Sequence, residues 1–300
     1  MKNLMVGIIS WLPDDETKRI YRRDYFQRQH EFLTTFLNIN PKDVICIAQN
    51  YKKEDNYLDY NYIKIDEGIG PSKARNIILD KFYNSDYDYL LCLDDDIIFY
   101  DYYNIKDLIH EIDDKSNKFY KLDMITGVYP KYYPFKKNNQ EDPNILTHYT
   151  FIPREINTPG SFTIIRNINK AYDKKIFYRE MDLFKFEGRE DMSFLIDWLK
   201  SGLNAYTCKQ LILKDFGDGY STLFSKDKDK YKEEVLVCMN NFLKLHNIKR
   251  DLKGNIQWKD FNKVYNKSKV YETIIREHSL SFLPEELKIK SKINLKGGLF

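Results

Sequence analysis

Three consecutive carboxylates follow an apolar run in the first third of the chain. Residues 89–93 are mostly apolar, and Asp94, Asp95 and Asp96 come directly after them. On an extended chain the side chains of Asp94 and Asp96 point to the same face, with Cα atoms roughly 6–7 Å apart. Oxygen ligands in such a pair favour Mg²⁺ or Mn²⁺ over zinc. The pattern predicts a divalent-cation site, and the alternative is an acidic loop that faces solvent.

A positively charged helix start precedes the triplet. Gly70 and Pro71 lead into a predicted helix over residues 72–82, with Lys73 and Arg75 near its beginning. A helix N-terminus offers backbone N–H groups to an anion, and the two cations favour a diphosphate. We therefore predict that Lys73 and Arg75 bind a diphosphate. The alternative is a structural ion pair between Arg75 and the triplet.

The elements around these residues alternate between strand and helix. Apolar runs predict strands over residues 4–10, 44–48, 62–65 and 89–93. An amphipathic pattern predicts a helix over residues 17–37, with Arg19, Arg22, Arg23 and Arg28 on its outer face. This alternation is typical of a Rossmann-like α/β fold, in which a mostly parallel sheet is flanked by helices. Ligands of such sheets bind beyond the carboxyl ends of the strands, where the triplet falls.

The second half of the chain continues the pattern less regularly. Strands are predicted over residues 124–128, 161–166 and 205–207, and a long polar loop is predicted over residues 130–158. A helix is predicted over residues 190–201, closed by Gly202.

These motifs resemble the GT-A glycosyltransferases, particularly the large inverting group called family 2. Residues 70–76 (GPSKARN), followed by the Asp triplet, resemble the helix start and Asp-x-Asp of that group, and Glu190 with Asp191 resembles its later acidic pair. The resemblance spans roughly residues 4–220. It implies metal-dependent, inverting transfer of a sugar from a nucleotide-diphosphate sugar, a UDP-sugar in the first instance, to an acceptor hydroxyl group.

The resemblance also implies roles for single residues. Asp191 is the expected catalytic base, because a carboxylate with a pKa of about 3.9 is ionised at neutral pH and can accept the acceptor's proton. Glu190 either assists it or only complements the helix dipole. Gly160 and Ser161 fall where the family has a turn that lines the acceptor pocket. Donor contacts are expected from Ser10, Trp11, Gln49, Lys73, Arg75, Asp94 and Asp95, although Trp11 could equally be a core residue.

The metal ligands depart from the family in one respect. Many members supply a late histidine, and this chain has none over residues 213–218. Asp215 or Asp218 is expected to take its place, and we assign Asp215, with Asp94 and Asp96, to the binding of Mn²⁺ or Mg²⁺.

Composition limits the class of protein. The 300 residues, 42% of them hydrophobic, suffice for one catalytic domain over residues 1–225, followed by a Lys-rich, mainly helical extension over residues 226–300. No apolar run approaches the ~20 residues that a membrane-spanning helix needs. The four cysteines show no paired spacing for a zinc site or a disulfide framework. We expect a cytoplasmic protein, in the host cytoplasm if the chain is viral.

The acceptor remains open among three classes: a saccharide or lipid-linked glycan, a protein side chain, and a hydroxymethylated base in DNA. Residues 8–14 and 47–50 resemble small glycosyltransferases encoded by large DNA bacteriophages, some of which modify bases. Basic C-terminal residues would suit a phosphate backbone, or else form a solvated face or a peripheral membrane tether: Lys288, Lys290, Lys292 and Lys296.

Two other functions compete with glycosyl transfer. A nucleotidyltransferase would also pair an α/β sheet with a carboxylate-held metal, but such enzymes usually carry a Gly-rich loop directly after the first strand, where this chain has residues 10–13 (SWLP). A non-catalytic module that binds sugar nucleotides is the third possibility.

Overall fold

The computed structural model describes residues 4–55, 58–101, 108–109, 122–128, 148–154, 161–180, 190–215, 228–250 and 271–274. The strands are β1 (Leu4–Trp11), β2 (Val44–Gln49), β3 (Asn61–Ile65), β4 (Tyr89–Asp94), β5 (Ile97–Asp101), β6 (Met124–Val128), β7 (His148–Pro153), β8 (Phe162–Arg166), β9 (Tyr206–Asp215) and β10 (Tyr271–Ile274). The helices are α1 (Glu16–Glu31), α2 (Pro71–Tyr83), α3 (Ile168–Tyr172), α4 (Glu190–Lys200) and α5 (Lys228–His246).

The strands form one mixed sheet. Its order is β10-β7-β9-β6-β8-β4-β1-β2-β3, and β5 pairs with β9 outside this path. The pairs β1–β2, β2–β3, β1–β4 and β6–β9 are parallel, while β8 is antiparallel to both β4 and β6. The strands β3, β2, β1, β4, β6 and β9 therefore share one direction. The predicted α/β class, with a mostly parallel sheet flanked by helices, is confirmed.

Helices cover the sheet on both faces because its strands are apolar on both faces. Along β1, Val6 and Ile8 belong to the core on the side of α1, whereas Met5 belongs to the core beneath α2 and α4. The second core also contains Phe194 of α4 and Phe242 of α5. Burial on both faces is typical of strands inside a parallel α/β sheet.

The helices begin and end at residues suited to those positions. The Asp15 carboxylate accepts the Lys18 N–H at the start of α1. Before α2, Gly70 has φ of 81°, a conformation that favours glycine, and Pro71 follows at the first helical position. Helix α1 is α-helical only to Glu31, and a π-helical turn at Phe32–Phe36 continues the predicted helix.

Three parts of the sheet differ from the sequence-based prediction. The predicted polar loop over residues 130–158 is wrong over His148–Pro153, which form β7. Strand β9, predicted over residues 205–207, extends to Asp215, where it pairs with β5. The segment after residue 225 adds α5 to the second core and β10 to the sheet, next to β7. A domain boundary at residue 225 stays a prediction.

None of the helices described here is both long enough and apolar enough to cross a membrane. The Cys46, Cys92 and Cys208 side chains are buried.

Candidate active site

The Asp triplet lies at the carboxyl end of β4, beside the ends of β1 and β2. Asp94 is paired with Ile9 in the register of β4 and β1, and Trp11 is paired with Gln49 in the register of β1 and β2. Parallel strands end at the same edge of a sheet, so the predicted donor residues of three strands meet there. The loop before α2 joins them, since Gln49 Oε1 accepts the Ile69 N–H at 2.9 Å.

Trp11 lies against the same loop. Its side chain is half-buried at the end of β1, and its indole is near Gly68. A contact between Trp11 and a nucleotide base stays a prediction.

Asp95 is buried and bonded to protein groups through both carboxylate oxygens. The Ser10 hydroxyl donates to Oδ2, and Arg22 Nη2 lies 3.1 Å from Oδ1. The Ser10 hydroxyl is also 2.6 Å from the Tyr51 hydroxyl. Burial raises the pKa of Asp95 to about 7 against the opposing effect of Arg22. In the structure, Ser10 and Asp95 therefore bond to each other and to neighbouring protein groups. Their contacts to a donor stay predictions.

Arg75 joins the two acidic groups that the sequence singles out. Its Nη2 lies 2.8 Å from Asp94 Oδ1, and its Nη1 lies 2.7 Å from Glu190 Oε1. The guanidinium also lies over the Tyr178 ring, 5.4 Å from its centroid. Burial opposes the charge of Arg75, but Asp94 and its other neighbours raise the pKa of Arg75 above its ordinary value. The ion pair considered as the alternative is thus present, and a diphosphate contact stays a prediction for both Arg75 and the exposed Lys73.

The start of α4 supplies a carboxylate whose proton affinity is raised. Asp191 Oδ1 accepts the Met192 N–H at 2.7 Å. Burial and the neighbouring Glu190 raise the pKa of Asp191 to about 6, while Arg154, at the end of β7, acts in the opposite direction. A base is most effective when its pKa is near the working pH, so Asp191 is suited to accept a proton.

Backbone contacts place two further predicted residues, Ser161 and Asp215, next to the triplet. The Ser161 carbonyl accepts the Asp94 N–H at 3.1 Å, which places this predicted acceptor residue beside the donor side. Asp215 ends β9 opposite Ile97, immediately past the triplet, and its side chain lies outside the described part. Gly160 and Asp218 are outside the described residues.

The charges at this site suit a divalent cation. Within the described part, the cluster joins five carboxylates to three guanidinium groups: Asp94, Asp95, Asp96, Glu190 and Asp191 with Arg22, Arg75 and Arg154. A formal charge of −2 is left when all are ionised, which is what one Mn²⁺ or Mg²⁺ would neutralise. Asp94 and Asp96 are the partly exposed members of the triplet, at 30% and 17%. Their oxygens fit such an ion chemically.

The present side-chain positions do not gather these ligands around one point. No three His, Cys, Asp or Glu side chains among the described residues are placed to hold a metal ion. Asp94 is held by Arg75, and Asp96 is held by Arg22, whose Nη1 lies 2.6 Å from Asp96 Oδ2.

Helix α1 contributes site residues that the sequence does not reveal. The Gln29 side chain donates to the Asp94 and Ile97 carbonyls at 2.7 and 2.5 Å, which fixes the turn that carries the triplet. Arg22 and Arg19 were predicted on the outer face of this helix, and that prediction is wrong for both. Arg19 is 1% exposed, donates to the Pro13 and Asn50 carbonyls, and pairs with the buried Asp55.

The signal for these residues is weak. Arg22 and Gln29 lie seven positions apart, which places them on one face of a helix. Nothing in the helical period shows that this polar face contacts the turn after β4.

Several solved structures show partial similarity to the chain, whereas no protein-family model and no curated protein matches it. Staphylococcus aureus TarS in complex with UDP-GlcNAc is 16% identical, with 80% of this chain and 66% of that chain covered and a TM-score of 0.43. GalNAc-T7 with UDP, GalNAc and Mn²⁺ is 11% identical, with 88% and 58% covered and a TM-score of 0.47. A Bacillus anthracis protein described as a glucose-1-phosphate thymidylyltransferase is 13% identical, with 78% and 95% covered and a TM-score of 0.39. At these values, the ligands and activities of those proteins do not transfer to this chain.

Proposed function

We propose that this chain transfers a sugar from a nucleotide-diphosphate sugar, a UDP-sugar in the first instance, to an acceptor hydroxyl group. The observation that carries the proposal is the position of Arg75 between Asp94 and Glu190, at 2.8 and 2.7 Å. This single side chain connects the end of β4, where a donor is expected, with the start of α4, which supplies Asp191. The carboxylates proposed to bind a cation and the proposed base are therefore neighbours.

The chemistry is a single displacement. The acceptor oxygen bonds to the anomeric carbon of the donor sugar while Asp191 takes the hydroxyl proton. The bond between that carbon and the diphosphate oxygen breaks, and the nucleoside diphosphate leaves with the electron pair. Attack from the face opposite the leaving group inverts the anomeric carbon, so a product of retained configuration would contradict the role of Asp191.

Cationic groups stabilise the leaving diphosphate. Lys73 is exposed at the start of α2, where backbone N–H groups are also unpaired within the helix. A Mn²⁺ or Mg²⁺ ion held by Asp94, Asp96 and Asp215 would supply further positive charge to the diphosphate.

The three acceptor classes stay within the proposal: a glycan, a protein side chain, and a hydroxymethylated base in DNA. For DNA, the basic residues after position 287 would contact phosphates, and affinity for duplex DNA should fall steeply as salt rises. Binding that is insensitive to salt would exclude this acceptor. A cytoplasmic location, in a host cell if the chain is viral, belongs to the same proposal.

Nucleotidyl transfer is the rival that shares the proposed cation-binding carboxylates. The turn after β1 closes directly onto β2, where the Leu12 N–H donates to the Gln49 carbonyl, and it contains no glycine. This favours a donor that is bound through the start of α2 over a triphosphate wrapped by the first loop. The two functions differ in product: glycosyl transfer releases a nucleoside diphosphate, and nucleotidyl transfer releases pyrophosphate.

Thermal unfolding with a panel of nucleotide sugars and Mn²⁺ tests donor binding. A ligand at about 100 times its Kd should stabilise the protein by about 2.7 kcal/mol. We expect one donor class to raise the Tm, and Lys73→Ala to reduce that rise without changing the Tm of the ligand-free protein. Lys81→Ala is the matched control, since Lys81 is an exposed lysine in the last turn of α2. If no nucleotide sugar raises the Tm, the proposal is wrong.

A further inference from the structure

Arginines from two different helices contact the Asp triplet. Arg75 of α2 contacts Asp94, whereas Arg22 of α1 contacts both Asp95 and Asp96, with N–O distances of 3.1 and 2.6 Å. Arg22 is 15% exposed, and its charge is favoured because Asp95 and Asp96 raise its pKa despite burial. The family resemblance implies no role for Arg22.

Arg22 contacts one of the carboxylates that the proposed function needs for a cation. The Asp96 Oδ2 that faces Arg22 cannot also bind a divalent ion without bringing two positive charges together. Arginine stays protonated at any accessible pH, so this conflict cannot be relieved by loss of a proton. A cation that uses Asp96 must therefore displace Arg22 or bind weakly beside it.

Arg22 also retains an unused hydrogen-bond donor. Its Nε is buried and has no partner within the described ranges. A buried donor without an acceptor is unfavourable. A guanidinium displaced from Asp96 would have more such donors and would be still less favourable. A diphosphate would satisfy such a group, since arginine binds phosphate oxygens through two parallel N–H groups.

We propose, as an inference that rests on the proposed function, that Arg22 is a displaceable counter-ion that makes cation and nucleotide binding cooperative. Without ligands, Arg22 neutralises Asp96. With a cation and a nucleoside diphosphate both bound, Asp96 would hold the cation and Arg22 would bind the diphosphate instead of Asp96. Either ligand alone leaves one charged group without its partner, so each should strengthen the binding of the other by the same factor.

Calorimetric titration with Mn²⁺, with and without UDP, tests this coupling. Wild-type protein should bind Mn²⁺ weakly alone and about tenfold or more tightly with UDP, within the usual range of coupling factors. Arg22→Gln should bind Mn²⁺ alone about tenfold more tightly than wild type. The additional effect of UDP should then be about tenfold smaller than in wild type, leaving only the direct attraction between the cation and the diphosphate. Arg22→Lys keeps the charge but loses the planar fork, so it should lie between the two. Arg28→Gln is the matched control, because Arg28 is an exposed arginine on the same helix that pairs with the exposed Asp24.

The outcomes separate this inference from the proposed function. If Arg22→Gln and wild type bind Mn²⁺ with equal affinity and equal UDP coupling, the inference is wrong and the cation site stands. If no variant binds Mn²⁺ with or without UDP, the inference fails together with the metal-dependent part of the proposed function. Far-UV circular dichroism establishes whether each variant is folded. If Arg22→Gln does not fold, Arg22→Lys is compared with wild type in Mn²⁺ affinity and UDP coupling instead.

Discussion

Asp191 sets the pH dependence that we expect of the reaction. Its ordinary pKa is 3.8, and burial and Glu190 raise it to about 6. The ionised base is therefore lost as pH falls through about 6, and kcat/KM should decline about tenfold per pH unit below that value. The rate of nucleoside diphosphate release between about pH 5 and 8 measures this decline. A decline that begins only near the ordinary carboxylate pKa would contradict a buried base.

Arg75 should matter for stability as well as for activity. Because its guanidinium is buried between Asp94 and Glu190, Arg75→Gln leaves two carboxylates without their cation. Removing one partner of a buried ion pair typically costs about 3–5 kcal/mol, and urea unfolding should show a loss of that order. Lys73→Gln, an exposed change on the same helical turn, should shift the free energy of unfolding by less than about 0.5 kcal/mol. Equal effects of the two substitutions would argue against a stabilising role for the Arg75 contacts.

The site residues that the sequence correctly places together are those that can be recognised from the pattern of a single strand or helix. The triplet follows an apolar run, Arg75 follows a glycine-proline turn, and Glu190 opens a helix, so each is visible within one element. Arg22 is not, because its position opposite Asp96 depends on how α1 lies across the sheet. The same reason hides the contact between Gln29 and the backbone of the triplet.

At the scale of elements, close packing of α2 against β1 positions Arg75. A Cβ on Gly7 would lie 2.4 Å from Ile78 Cγ2, one helical turn after Arg75. Gly7→Ala should therefore displace α2 and destabilise the protein by about 1–3 kcal/mol, as overpacking usually does. Donor binding should weaken as well, because Arg75 moves with the helix.

A double-mutant cycle with Ile78→Ala tests this packing directly. The methyl group of Gly7→Ala should partly fill the space that Ile78→Ala leaves, so the two costs should not add. We expect an interaction of about 1 kcal/mol between the two substitutions in urea unfolding. Strict additivity would mean that α2 does not rest on Gly7 as the structure indicates.

Elements with a strong internal pattern are predicted to within one or two residues, as for β1, β4 and α2. The reversed direction of β8 could not be predicted, because an apolar strand has the same pattern in either direction. Strands β5 and β10 pair with strands that are distant in sequence: β5 pairs with β9, and β10 pairs with β7. A single sequence does not specify such pairs.

For the whole molecule, His246 predicts how stability depends on pH. His246 is the last residue of α5, and its Nε2 lies 2.9 Å from the Ser193 hydroxyl oxygen of α4. Burial lowers the pKa of His246 from 6.5 to about 4. Between about pH 6.5 and 4, His246 therefore binds a proton in the unfolded chain but stays neutral in the folded protein. This contribution to stability is complete above about pH 6.5 and declines by up to about 1.4 kcal/mol per pH unit as pH falls towards 4.

Urea unfolding of wild type and His246→Gln at a series of pH values measures that contribution. The free energy of unfolding of the variant should vary less steeply between about pH 6.5 and 4.5. Identical slopes would show that His246 is not buried as a neutral ring. The prediction also concerns the segment after residue 225, because α5 carries His246 into the core that holds α4 in place.

The central claim is tested most directly by the release of nucleoside diphosphate from a nucleotide sugar. With the donor found by thermal unfolding, wild-type protein and Mn²⁺ should release the diphosphate, slowly to water and faster with an acceptor. Asp191→Asn should lower the acceptor-dependent rate by about 100-fold or more while the donor still binds. Release of pyrophosphate instead, or an equal rate for wild type and Asp191→Asn, would contradict glycosyl transfer by this site.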